Sequence, residues 1–147
     1  MAIYQTGKFD SQRTNSASRS SRIYSDLDLN FALTPGKKDV NKKKDIEAVK
    51  QSVRNLILTN HYERPFHPEI GSSVRSLLFE NITPITTSIL KRAIGEVITN
   101  FEPRVRLSAI DCFPDPDRNG YEVTISFYIV NMPGEQVQLE TFLERAR

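Results

Sequence analysis

From Asp45 to the end of the chain the apolar residues change period once, and that change limits the fold more than any other feature. From Asp45 onward Ile46, Val49, Val53, Leu56 and Ile57 recur at steps of three and four, the stripe of an amphipathic helix that fades near Thr59-Asn60. A longer stripe follows in Ile85, Ile89, Ala93, Ile94, Val97, Ile98 and Phe101, with Thr83 placed to cap it and Pro84 at its first helical position. Between them Gly71-Ser72-Ser73 introduces a short helix holding Val74, Leu77 and Leu78. After Pro103 the period becomes two. Val105, Leu107 and Ala109 slip to Ile110 and Cys112, the mark of a strand with a bulge. Tyr121, Val123, Ile125, Phe127 and Ile129 form a second strand, and Val137, Leu139 and Thr141 a third. Asn119-Gly120 is expected to supply the positive-φ positions of the first hairpin turn, and Asn131-Met132-Pro133-Gly134 makes the second. Helices first and a meander last predict an α+β fold. About three helices should pack on one face of a small, mostly antiparallel sheet whose strands form a C-terminal β-meander.

The N-terminal third has a different character. Gly7 to Ser21 is dominated by Ser, Arg, Asn, Gln and Thr, too little apolar surface to offset the entropy of ordering, so residues 1–22 are expected to be a flexible basic arm and 23–147 one domain. From Ile23 to Phe31 the chain alternates, and Ile23, Leu27, Leu29 and Phe31 are expected to dock as the inner face of an extended segment, with Tyr24, Asp26, Asp28 and Asn30 outward. Thr34-Pro35-Gly36 breaks this segment. Lys37, Lys38, Lys42, Lys43 and Lys44 then read as a solvated loop and first helical turn. Residues 1–44 hold nine Lys/Arg against four Asp/Glu, yet the whole chain of 147 residues carries only +2. That balance argues against a dedicated nucleic-acid binder, and no apolar run approaches the roughly 20 residues that span a bilayer. One cysteine, Cys112, and two histidines, His61 and His67, offer neither an internal disulfide nor zinc-ligand spacing, which together with the absence of an apolar leader points to folding in a cytoplasm.

A search for chemistry returns little. No phosphate-binding loop, dinucleotide fingerprint, metalloprotease motif or nucleophile elbow is present, so no cofactor or metal is expected. The pairs Asp26/Asp28 and Asp115/Asp117 sit in polar segments that would not raise a carboxyl pKa, and Cys112 reads as a small buried hydrophobe. Two constellations of opposite charge locked by proline stand out: Glu63-Arg64-Pro65-Phe66 after the first helix, and Glu102-Pro103-Arg104 before the first meander strand. In an extended segment Glu102 and Arg104 point to one side, with Pro103 lowering the entropy cost of holding them there. Either constellation serves as an intrachain clamp, for example Arg64 reaching Glu102, or as a surface facing a partner; the arginine fork suits both uses.

Taken in order, Asp26-Leu27-Asp28-Leu29-Asn30-Phe31, the helix Glu47 to Leu56, Leu58-Thr59-Asn60, Glu63-Arg64-Pro65-Phe66-His67-Pro68, Gly71-Ser72, Leu77-Leu78-Phe79-Glu80 and Glu102-Pro103-Arg104-Val105 form a series. The series resembles the small baseplate-wedge subunits of contractile-tailed bacteriophages, relatives of the short baseplate component of type VI secretion systems. The resemblance spans about residues 23 to 147 and implies a structural, non-enzymatic protein of the virion tail baseplate, assembled in the host cytoplasm. It implies partners among the other baseplate wedge proteins and the tail sheath protein, with the tube or hub nearby, and no nucleic acid, membrane or small-molecule substrate. It indicates Glu102, Pro103 and Arg104 as the functional centre and a platform for the first sheath ring as the expected role; Glu63 and Arg64, the other proline-locked pair, are taken as partner-binding beside them. The competing reading is a tail-associated lysozyme, which requires an acid of raised pKa facing a second carboxylate.

Overall fold

The computed structural model describes residues 24–31, 36, 39–132, 134 and 136–145. The expected basic arm, together with Ile23, lies outside them. A short ribbon of β1 (Ser25–Leu27) and β2 (Lys42–Lys44) leads into α1 (Asp45–Leu58), followed by α2 (Val74–Leu77) and α3 (Pro84–Phe101). The chain then runs through β3 (Val105–Asp115), β4 (Gly120–Ile129) and β5 (Gln136–Glu144). The last three strands form an antiparallel sheet in the order β3-β4-β5, and β1 pairs with β2 in a separate two-stranded sheet. The α+β class with a C-terminal meander is therefore as the periodicity predicts.

Each helix starts and stops for a local reason. Asp45 and Glu47 place negative charge in the first turn of α1, where the helix dipole favours it, and the Thr59 N–H closes its end on the Asn55 carbonyl at 2.9 Å. In α3 the Thr83 hydroxyl accepts from the Thr86 N–H at 3.1 Å, with Pro84 next in the chain, and Pro103 forbids continuation beyond Glu102. Val49, Val53 and Ile57 of α1 and Leu90, Ile94 and Ile98 of α3 meet Val123, Ile125 and Phe127 of β4 in one core. The middle strand is thus the most deeply covered. In β3 the register shifts between Leu107 and Ala109, which locates the bulge that the slipping period announces. Cys112 is buried, and burial pushes its thiol up to about 11, as befits a packing residue.

Four expectations are corrected. The β1 segment docks by its other face: Tyr24, Asp26 and Asp28 turn inward, while Leu27 and Leu29 are 56% and 53% exposed and Phe31 points outward as well. Lys42 to Lys44 form a strand instead of a loop and first helical turn, because they pair with Ser25 to Leu27. The buried stripe of α3 begins at Thr86 and Leu90 and leaves Ile85 73% exposed, with Ile89 outward too, since the helix rotates to place Ala93, Ile94, Val97 and Ile98 on the sheet. In the first hairpin only Asn119 has positive φ. Gly120 is required for a different reason, as a Cβ there would lie 2.5 Å from the Phe142 ring and 2.6 Å from the Leu143 carbonyl oxygen.

The rotation of α3 has a measurable signature. Leu90→Ala, at a fully buried position, is expected to cost about 2–5 kcal/mol in urea unfolding, whereas Ile85→Ala should change stability by no more than ~0.5 kcal/mol. The opposite order would restore the stripe that the sequence suggests.

Candidate interaction site

The proline-locked acid and base lie where α3 hands over to β3. Glu102 is the C-cap of α3, with its N–H bonded to the Ile98 carbonyl, and its own carbonyl accepts from the Val105 N–H at 3.1 Å. Residues 102–105 therefore form a tight turn with Pro103 at its second position, where the fixed φ of proline fits. Glu102 and Arg104 come together across this turn rather than along an extended segment. Arg104 donates from Nε to Glu102 Oε1 at 2.7 Å and from Nη2 to Oε2 at 2.9 Å, a two-pronged pair. Ser52 of α1 donates a third hydrogen bond to Oε2 at 2.6 Å.

This carboxylate is only 4% exposed. Burial pushes its pKa up, but the hydrogen bonds from Arg104 and Ser52 and the charge of Arg104 outweigh burial and hold it below the ordinary 4.5. On Arg104 the hydrogen bond to Glu102 is the largest influence, and its pKa is raised. The guanidinium reaches a third segment through Nη1, which donates to Asp26 Oδ2 at 3.3 Å, and lies over the Tyr24 ring with 5.5 Å to the centroid. The Tyr24 hydroxyl donates to the Val130 carbonyl, and the Val130 N–H to the Arg104 carbonyl at 2.8 Å. Ser52, Asp26 and Tyr24 thus belong to the site although the sequence did not connect them with Glu102 and Arg104, Asp26 having stood out only beside Asp28. Ser52 carried one signal, a polar residue set within the Val49-Val53-Leu56 stripe.

The second constellation sits apart from this cluster, and Glu102 pairs with Arg104, not Arg64. Glu63 turns back to accept the Asn60 backbone N–H at 2.8 Å and its side-chain amide at 3.2 Å. Tyr62 donates its N–H to the Pro68 carbonyl, and both Tyr62 and Phe66 have positive φ, at 67° and 69°. Gly71 closes the loop on its own start just after α1, since a Cβ there would stand 2.5 Å from the Asn60 and His61 backbone. The result is a braced loop that leaves Phe66 97% exposed. Arg64 is exposed, with no hydrogen bond or ion pair to a described residue.

Residues 43–133 match the model of a family described as baseplate wedge protein gp25. The chain belongs to the baseplate wedge protein gp25 family. Its similarity to the baseplate wedge protein gp25 of Enterobacteria phage T4 is 33% identity over 121 residues, 81% of this chain and 91% of that protein. Among solved structures it resembles a chain of the anti-feeding prophage baseplate, with a TM-score of 0.65 and 27% identity, covering 75% of this chain and 88% of that one. Two more distant likenesses concern the fold alone. One is a putative tail lysozyme from Geobacter sulfurreducens, with 18% identity, a TM-score of 0.58 and coverage of 67% and 91%. The other is in the pyocin R2 postcontracted baseplate, with 20% identity, a TM-score of 0.56 and coverage of 72% and 98%. Family membership gives this chain a structural role in a tail baseplate. The matched span holds Ser52, Glu63, Arg64, Glu102 and Arg104, while Tyr24 and Asp26 precede it.

A buried pair broken on one side leaves a polar group uncompensated, so Glu102→Gln is expected to cost about 3 kcal/mol. The folded-state pKa of Glu102 lies below its ordinary 4.5, so its contribution is complete above that value and is lost as the pH falls through the folded-state pKa. Urea denaturation between pH 3 and pH 7 should therefore show an acid limb in the wild type that is shallower in Glu102→Gln. Superimposable limbs would remove Glu102 from the account of acid stability.

Proposed function

We propose that this wedge subunit holds neighbouring baseplate proteins through two surfaces, the loop bearing Glu63 and Arg64 and the rim of the Glu102-Pro103-Arg104 cluster, and that the meander is the platform for the first tail-sheath ring. The observation that carries the reading is the loop. Non-glycine residues at positive φ cost of order 1 kcal/mol or more each, and here two of them shape a loop that exposes an aromatic ring, Phe66, and a guanidinium, Arg64, without an ion pair among the described residues. A display of this kind suits a partner, because its ordering entropy is already met before binding and Phe and Arg are effective anchors. Glu63 shapes the loop from within. At the cluster, Arg104 keeps a quarter of its side chain exposed after pairing with Glu102, so the rim offers cation and carboxylate together through Arg104 and Asp26. The sheath reading draws on the sheet: β3 and β5 are its outer strands, and an extended segment added to either would gain main-chain hydrogen bonds with alternating pockets setting register.

The lysozyme alternative asks for two facing carboxyls, one of raised pKa. A cleft of about 650 Å³ near the ends of α1 and β5 is lined by Leu58, Val74, Leu78 and Leu143 and contains one carboxylate, Glu144. Glu102 is shifted the opposite way, and Asp26 faces Arg104. A non-enzymatic role is the better supported reading. Purified protein should leave a peptidoglycan suspension turbid; sustained clearing that disappears on replacing one carboxylate would establish the hydrolase instead.

Electron microscopy of lysates carrying Arg64→Ala tests the loop directly. The substitution removes an exposed side chain, so stability should stay within ~0.5 kcal/mol of wild type. Sheathless or missing tails are expected from this folded variant, and normal contractile tails would remove the loop from assembly.

A further inference from the structure

We propose that the open face of the meander seats this chain's own N-terminal segment, with the Arg13 guanidinium over the Phe113 ring and against the Glu122 carboxylate.

The helices cover one side of the sheet and leave the other bare. Val123, Ile125 and Phe127 of β4 face the core, so Glu122, Thr124 and Tyr128 alternate onto the side away from α1 and α3. Opposed residues of an antiparallel pair share a face, and Phe113 of β3 and Phe142 of β5 both stand opposite Glu122, one on each side. Half of this row shows what it takes. The Arg118 guanidinium, coming from the hairpin turn, lies over the Phe142 ring with 3.9 Å to the centroid and has Asp115 at 4.0 Å. The other half has a ring and a carboxylate but no cation: Phe113 is 62% exposed, and neither its ring nor the exposed Glu122 side chain has a ring contact, hydrogen bond or ion pair with a described residue.

Charge and chain length name the occupant. Around this position the face is negative, with Asp111 and Glu140 diagonal to Glu122 and only Asp111 in an ion pair, to Lys91 at 3.8 Å. Residues 1–22 carry Lys8, Arg13, Arg19 and Arg22 against one acid, Asp10. The described chain begins at this sheet, where the Tyr24 hydroxyl donates to the Val130 carbonyl. Glu122 lies eight positions before Val130, about 27 Å back along β4. Arg13 precedes Tyr24 by eleven positions, a reach of up to roughly 36 Å, whereas Arg22, two positions from Tyr24, falls far short. The cation of the near end, Arg106 opposite Tyr128, repels a basic segment there and leaves the far end as its seat. Arginine suits that seat better than Lys8, because a planar guanidinium stacks on a ring and donates to a carboxylate in its own plane at once. The segment is tethered, so a contact of modest strength is enough to hold it.

The test uses the purified full chain. A benzophenone amino acid at Gln12, next to Arg13, is irradiated and the joined peptides are read by mass spectrometry. The expected main product has the mass of one chain, with position 12 joined to β3 or β4 beside Phe113 and Glu122. Arg13→Glu and Glu122→Lys should each lower its yield roughly two- to five-fold, the factor of an exposed cation–π contact, while Arg22→Glu leaves it as in wild type and circular dichroism shows an unchanged fold. Joining to α1, α2 or α3, a yield unaltered by both Arg13→Glu and Glu122→Lys, or an equal loss with Arg22→Glu overturns the proposal. A product with the mass of two chains assigns the face to a second copy and overturns the intrachain contact, as does the absence of any joined peptide from folded protein.

Discussion

A carboxylate held almost entirely out of water at the end of a helix sets the arrangement of this domain. Glu102 needs donors where the α3 backbone has just stopped, and they come from two parts of the chain: Arg104 across the Pro103 turn and Ser52 from α1. Once Arg104 is fixed by this pair, its remaining donor and its face select Asp26 and Tyr24. Tyr24 and the Arg104 backbone in turn both meet Val130, just beyond β4. Four segments far apart in sequence converge on one ion pair, and the first helix, the ribbon and the sheet are located relative to one another by it.

Such a pair is a weak source of net stability, because desolvation of the two ions offsets much of their attraction. Its consequence here is one of register. With Asp26 and Asp28 drawn inward by Arg104 and Lys43, the ribbon shows its leucines to solvent, and the hydrophobic effect that should have buried them is overruled by polar contacts that tolerate no slip. The braced loop after α1 works in the same direction by backbone means. Tyr62 and Phe66 occupy a conformation that side chains avoid, and Gly71 packs where no Cβ fits. Both features keep apolar groups outside the core, as a subunit made for a larger assembly requires.

Much of the architecture was legible because it depends on local period and local stops. The α1 stripe, the Thr83 cap, the bulge in β3 and the three meander strands appear where the residue pattern places them. The errors share a cause. Ile85 and Ile89 belong to an apolar stripe by spacing, but a row of four-residue steps advances about 40° around the helix at each step, so the face set by Ala93, Ile94, Val97 and Ile98 against the sheet continues to Leu90 and Thr86 and leaves Ile89 and Ile85 outward. Lys42 to Lys44 have poor strand propensity and pair only because Ser25 to Leu27 lie alongside. Of the site, Glu102 and Arg104 were visible as a motif, while the part played by Ser52, Asp26 and Tyr24 was not, since it depends on contacts across 50 to 106 positions of sequence.

The sequence by itself determined the class of fold, the order of helices and strands, the two proline-bound charged motifs and, through their ordered combination, the family. These follow from short-range chemistry: period, capping, and the refusal of proline to continue a helix. Only the tertiary structure decided that the pair of Glu102 and Arg104 closes across a turn with Ser52 and Asp26 joined to it, that Arg64 stands apart from that pair, and that the ribbon leaves its leucines exposed. Those outcomes depend on which distant segments pack around the buried carboxylate, and no local pattern encodes that packing.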